Sequence, residues 1–142
     1  MSATATAFFS RLLPAIVRRN PNLASYLSCC LQVTLEEPDG RRDEWCLDFR
    51  DPDRWTIERR RDSLPDATLR MSASRFESLL AEPIPAWAHA YASGEIRVDG
   101  DLVAVAGLKG LFDHMEPSRV KRWALKLLGP ERAISLAARR VR

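Results

Sequence analysis

Between Leu27 and Met71 apolar and polar residues alternate, and on either side the period becomes helical. Leu27, Cys29, Leu31, Val33 and Leu35 share one face, with Ser28, Cys30, Gln32, Thr34 and Glu36 on the other, which is the period of a half-buried strand. Pro38-Asp39-Gly40 then supplies turn chemistry. Trp45, Leu47 and Phe49 alternate with Glu44, Cys46, Asp48 and Arg50. After Asp51-Pro52-Asp53, Trp55 and Ile57 alternate with Arg54, Thr56 and Glu58. A fourth run comes after Leu64-Pro65-Asp66 and sets Ala67, Leu69 and Met71 inward, Thr68 and Arg70 outward. Four strands with one apolar face each predict an antiparallel sheet, wet on one side and covered on the other.

The cover has to come from helices. Ser74-Arg75-Phe76-Glu77 reads as a capping box, and Phe76, Leu79 and Leu80 continue it as an apolar stripe that Pro83 and Pro85 end. Pro85 opens a short helix carrying Trp87, Ala88 and Tyr91, with Gly94 placed as its stop. Ile96 and Val98 make a fifth strand, closed by Asp99-Gly100. A broadly apolar helix comes next, from Leu102 to Met115. Pro117 opens a C-terminal helix, and Gly129-Pro130 breaks it before a last one. The expectation is an α+β domain: a single five-stranded, mostly antiparallel sheet with helices packed on one face, plus a helical C-terminal extension. Residues 1–26 form an amphipathic helical segment, 27–115 the domain, and 116–142 the extension.

Composition narrows this picture. The 142 residues suit one domain, and 46% apolar with 29% charged residues are those of a folded globular chain. The longest apolar runs, Phe8–Val17 and Leu102–Phe112, are short and interrupted, well below the roughly 20 residues of a membrane span. The net charge of +3 hides an asymmetry. From Arg119 to Arg142 eight bases face one acid, Glu131, giving +7, while 14 bases and 18 acids leave the rest at −4. A basic end on an acidic body fits an anionic partner, with Lys121, Arg122, Trp123, Lys126, Arg139 and Arg140 as the contact residues; a solvated charged face is the plainer alternative. Residues 1–35 contain no acid, and Phe8, Phe9, Leu12, Leu13, Ile16 and Val17 recur at helical spacing beside Arg11, Arg18 and Arg19. This fits a transit peptide in a eukaryotic, mitochondrial setting. An ordinary amphipathic helix, on the domain or on a membrane, is preferred.

Catalytic chemistry is sought and not found. His89 and His114 lie on predicted helices with no nucleophile beside them, and there is no G-x-S-x-G elbow. Asp99 and Asp101 flank Gly100 as turn and helix-start residues rather than as paired catalytic carboxylates. Cys29 and Cys30 point to opposite faces of a strand, and the three cysteines fit neither a disulfide framework nor a C-x-x-C zinc motif. No enzyme, metal or cofactor is expected. Gly107-Leu108-Lys109-Gly110 matches the G-x-x-G of a nucleic-acid clamp, but inside an apolar helix it reads better as close packing.

The stretch Asp66–Phe112 resembles the sterol carrier protein type-2 domain, the sterol-transfer or non-specific lipid-transfer family. The carrying residues are ATLRMSASRFESLL and AYASGEIRVDGDLVAVAGLKGLF, with an aromatic-x-x-Gly from Tyr91 to Gly94 and a Gly…Gly-Asp strand from Gly94 to Asp101. Ser93 stands where the family often has glutamine. The resemblance implies an apolar tunnel between sheet and helices that holds a fatty-acyl, sterol or isoprenoid chain. Phe76, Leu79, Leu80, Trp87, Tyr91, Leu102, Val105, Ala106, Leu108 and Phe112 would then line it; without the resemblance they read as packed core.

The leading expectation is non-enzymatic binding and carriage of a hydrophobic lipid. Within the same family, an accessory protein of ubiquinone biosynthesis would present a polyprenylated intermediate to lipid-modifying enzymes. A basic interaction or nucleic-acid module is the competing class, for which a single tryptophan among the basic helices is thin support. Free cysteines without a secretion signal favour the cytoplasm, with peripheral association at an anionic membrane.

Overall fold

The computed structural model describes residues 3–82, 84–105 and 107. The chain starts with helices α1 (Ala3–Ala7) and α2 (Leu13–Arg19), joined without a break by a π-helical turn, Phe8–Leu12, and followed by α3 (Asn22–Leu27). Strands β1 (Cys30–Glu36), β2 (Arg42–Asp48) and β3 (Thr56–Glu58) come next, then β4 (Ala67–Ser72), α4 (Ala73–Leu79), α5 (Ile84–Ala92) and β5 (Arg97–Gly100). Residues 102–105 are helical again. The expected C-terminal helices and the extension 116–142 lie outside the described residues.

The architecture is α+β, with a five-stranded sheet in the order β3-β2-β1-β4-β5. Three pairings are antiparallel, but β1 and β4 run parallel, Leu31 opposite Ala67 and Leu35 opposite Met71. The sheet is thus mostly antiparallel, as expected, with β1–β4 the parallel pair among the described residues. Alternation fixes which face a residue takes, not which strand it neighbours. With β2 on one edge of β1 and β3 beyond it, β4 takes the free edge, and residues 59–66 carry the chain across. β3 stops level with Gln32 and β4 starts level with Leu31, so this strap runs almost straight across the strands. Three strand spacings are about 14 Å, within reach of eight residues.

The strap changes the burial of β1. Leu31, Val33 and Leu35 enter the core as expected, but Cys30, Gln32 and Thr34 on the opposite face are also buried. Gln32 is satisfied at both ends of its amide: Nε2 donates to the Arg60 carbonyl at 3.0 Å, and the Asp62 N–H donates to Oε1 at 3.0 Å. Asp66 closes the strap, its side chain accepting from the Cys30 N–H at 2.7 Å and its own N–H donating to the Cys30 carbonyl at 2.8 Å. β1 also starts later than alternation suggested. Asn22–Leu27 is helical, buries Leu23, Ala24 and Leu27, and ends at Ser28 in a left-handed conformation (φ 43°).

On the inner face the N-terminal helices supply Phe8, Phe9, Leu12, Leu13 and Val17 to the same core as Leu31, Val33, Leu47 and Phe76. The buried pairs recur every four residues. In a pure α-helix such a stripe drifts by about 40° at each step. The π-helical turn takes that drift out. Its cause is Pro14, which has no N–H for a bond one turn back, while the Leu13 N–H donates five residues back, to the Phe8 carbonyl. The cap of α4 differs from the capping box as well. Ser72, still extended at the end of β4, accepts from the Arg75 N–H at 3.1 Å, and Glu77 instead accepts from the Thr4 hydroxyl at 2.7 Å. β4 runs into α4 without a loop, so the last strand residue is the one placed to cap.

Ion pairs tie the strap down. Arg60 contacts Glu58 (3.0 Å), Asp62 (3.1 Å) and Asp48 (3.6 Å), while Arg50 contacts Asp48 (2.8 Å) and Asp62 (3.2 Å). The hydrogen bond from Arg50 holds the Asp48 carboxyl below the usual carboxylate range, and that from Arg60 does the same for Asp62. A carboxyl depressed in the folded chain contributes stability that is complete above its unfolded pKa, about 4, and is lost as the pH falls through the folded value. Chemical denaturation across pH 2–6 should therefore show stability dropping below about pH 4. An Asp48→Asn/Asp62→Asn chain should be less stable at pH 6 and show a shallower acid limb.

Candidate functional site

Between the sheet and its helices lies a layer of packed aromatic rings. Phe9 stacks on Trp45 (5.0 Å between centroids) and on Phe76 (5.3 Å), Phe8 meets both phenylalanines edge-on, and Phe76 meets Trp87 edge-on at 6.2 Å. The row therefore crosses from β2 through the π-helical turn to α4 and α5. Such contacts add about 0.5–1.5 kcal/mol per pair to the apolar area they bury. The Trp87 indole N–H donates to the Leu79 carbonyl at 3.0 Å near the end of α4, which fixes its ring against Phe76.

The structure separates the expected lining residues by depth. Phe76, Leu79 and Leu80 are buried, and Trp87 and Val105 are half-buried against the same core. Tyr91 and Leu102 stay 49% and 57% exposed, and Val103, which sequence reading did not single out as a contact, is 78% exposed. Ala106, Leu108 and Phe112 lie outside the described residues, as do the basic-end residues Lys121, Arg122, Trp123, Lys126, Arg139 and Arg140. Gly107 packs close to Leu27: a Cβ built on it would lie 3.3 Å from the leucine methyl.

Two backbone devices aim the helix that begins at Leu102. Gly94 ends α5 with positive φ (84°), and the Glu95 N–H donates to the Ala90 carbonyl at 2.9 Å. Gly100 ends β5 at φ 101°, where a Cβ would stand 2.5 Å from the Asp66 carbonyl oxygen. Asp101 then caps the helix, its carboxylate accepting from the Val103 N–H at 2.8 Å, while its own N–H donates to the Asp66 carbonyl at 2.9 Å. Asp101 at a helix start was legible in the sequence; its tie to the strap's last residue was not.

One end of the apolar layer is polar, and this was missed by sequence reading. Asp43, with its side chain fully buried, accepts from Arg59 at 3.0 Å. Arg59 also donates to the Thr6 hydroxyl at 2.6 Å and stands 4.6 Å over the Trp45 ring. Asp43 Oδ2 and Trp45 Nε1 are buried with no hydrogen-bond partner among the described residues. Asp43 lies two residues before Trp45, so parity alone would have put both on the inner face. The layer is apolar and carries one acceptor and one donor at one end, and among the described residues no nucleophile–base pair is assembled there.

The comparisons agree with this geometry. Residues 9–113 match the model of the SCP-2 sterol transfer family. The fold is similar to that of sterol carrier protein domain 2 of Helicoverpa armigera (TM-score 0.65, 17% identity, covering 79% of this chain and 87% of that one). It is also similar to palmitated SCP2L2 from Aedes aegypti (TM-score 0.62, 17% identity, 82% and 98%). A UbiJ-SCP2 ubiquinone synthesis protein has the same fold (TM-score 0.62, 22% identity, 79% and 96%). No curated protein matches significantly.

Gly100→Ala should be among the most damaging small substitutions in the chain. Left-handed strain alone costs about 1–3 kcal/mol, and the clash with Asp66 adds to it. Thermal unfolding should show a midpoint well below that of Gly40→Ala, whose Cβ meets nothing within 4 Å.

Proposed function

Because the chain belongs to the SCP-2 sterol transfer family, we propose that it binds a hydrophobic small molecule between sheet and helices and carries it without altering it chemically. The carrying observation is the aromatic layer running from Trp45 to Trp87, continued by Val105 and rimmed by Leu102 and Val103, which remain exposed. A fatty-acyl, sterol or isoprenoid chain suits such a lining. Each buried methylene gains roughly 0.8 kcal/mol, so a 16-carbon tail has on the order of 10 kcal/mol gross, much of it offset by ordering. Orientation needs one polar contact, and Trp45 Nε1 with Asp43 Oδ2 supplies a donor and an acceptor for the lipid's polar end.

A second reading places the chain among accessory proteins that present a polyprenylated intermediate to lipid-modifying enzymes. Its support is the fold shared with the ubiquinone synthesis protein, together with the basic end of the sequence. In both readings the residues from Lys121 to Arg140 draw the carrier to an anionic membrane surface.

Native mass spectrometry of the purified chain should find one lipid per protein, and fluorescent fatty-acid, sterol and prenyl-quinone probes should be taken up at micromolar concentrations. The preferred probe class decides between the two readings. Leu102→Glu should reduce uptake about tenfold with no loss of thermal stability. Trp45→Phe should weaken probes with a polar head and leave a plain alkane probe unaffected. A folded chain that carries no lipid and takes up none of the probes would defeat the carrier reading.

Flotation with liposomes should require anionic lipid and weaken with added salt. A chain with Lys121, Arg122, Arg139 and Arg140 changed to glutamine should lose most of that binding. Salt-independent flotation would count against the membrane role.

A further inference from the structure

The outer face of the sheet carries a side-chain cluster that lipid carriage does not use. Cys30 on β1 and Cys46 on β2 sit diagonally across an antiparallel pair, since Cys30 is opposite Asp48 and Cys46 opposite Gln32. Both are fully buried, with their sulfurs 3.6 Å apart. The strap lays Asp62 over them, so that both sulfurs and a carboxylate oxygen lie within 4.8 Å of one another. We propose that this cluster binds a divalent ion of the zinc type, held by the thiolates of Cys30 and Cys46 and the carboxylate of Asp62, with water in the fourth position.

The spacing suits such an ion. Two thiolates about 2.3 Å from a tetrahedral zinc stand about 3.8 Å apart, close to the separation already present, so the strands need not move. Asp62 comes from the strap and has to approach by about an ångström, a shift a loop can make more readily than a central strand. Its carboxylate has capacity left. Of about four lone-pair sites, three are used: Oδ1 accepts from Arg50 and Arg60, and Oδ2 accepts from the Leu64 N–H.

Charge balances as well. An ion of charge +2 that displaces two thiol protons leaves the net charge of the cluster unchanged, with Arg50 and Arg60 still facing Asp48 and Asp62. Two soft sulfurs with one carboxylate favour zinc over magnesium or calcium. A cross-strand disulfide would instead have to draw the sulfurs to about 2.05 Å between strands held in register on both sides. The bound ion would tie β1, β2 and the strap together, a structural role separate from the lipid layer on the other face.

The test uses the full-length chain, reduced and stripped of metal, titrated with Co²⁺ as a spectroscopic probe. The expected result is one Co²⁺ per chain, with a thiolate-to-cobalt charge-transfer band that Zn²⁺ abolishes. Cys30→Ala and Cys46→Ala should each lose the band, Cys29→Ala should keep it, and Asp62→Asn should weaken binding at least tenfold. Should the cysteine variants fail to fold, the unmodified chain decides: equimolar Zn²⁺ should raise its unfolding midpoint and EDTA reverse the rise. Absence of the band in the folded, reduced chain would overturn the proposal. So would a band that survives in Cys46→Ala or requires Cys29, or a Cys30–Cys46 disulfide in the freshly purified protein.

Discussion

A strap of eight residues has to cross two strands between β3 and β4, and a single side-chain amide receives it. Gln32 accepts from the strap at Asp62 and donates to it at Arg60, so a polar residue in the middle of the central strand is satisfied without water. A buried amide left unpaired there would cost about 1–3 kcal/mol. With the strap in place, β4 lies parallel beside β1, and the later elements take their positions from that pairing. Ser72 caps α4 directly off the strand, α4 sets Phe76 against Phe9, and Asp66 receives the N–H of Asp101 where the next helix begins.

The two faces of the sheet therefore do different work. The inner face is closed by helices whose rings stack across it, with a small polar cluster of Asp43, Arg59 and Thr6 at one end. Among the described residues it is the strap that covers the outer face, through hydrogen bonds and ion pairs rather than apolar contact. Arg50 bridges two carboxylates there and Arg60 three, so the covering rests on a network and not on isolated surface pairs, which contribute little.

Much of this was legible in the sequence. The period of two located all five strands, because apolar residues take most of the inner positions, with Asp43 on β2 a charged exception. The Gly94–Asp101 segment carried the family resemblance, and its glycines occupy the positive-φ positions that the turns need. The start of β1 was read three residues early, because Leu27, Cys29 and Leu31 satisfy a strand period, while Leu23, Ala24 and Leu27 satisfy a helical one. The parallel neighbour and the burial of Gln32 and Thr34 could not be read at all. They depend on where the strap crosses, a long-range choice that leaves no mark in local periodicity. Likewise, alternation placed Cys30 and Cys46 on one face but could not set them side by side, since register is decided by the hairpin between them.

The outermost strands are the shortest, β3 with three residues and β5 with four, and both ends of the sheet carry charge at Glu58, Arg97 and Asp99. A second molecule seeking to extend the sheet finds few free backbone groups to pair with, and those it finds sit among ions. The strand edges thus discourage this chain from polymerising through its backbone.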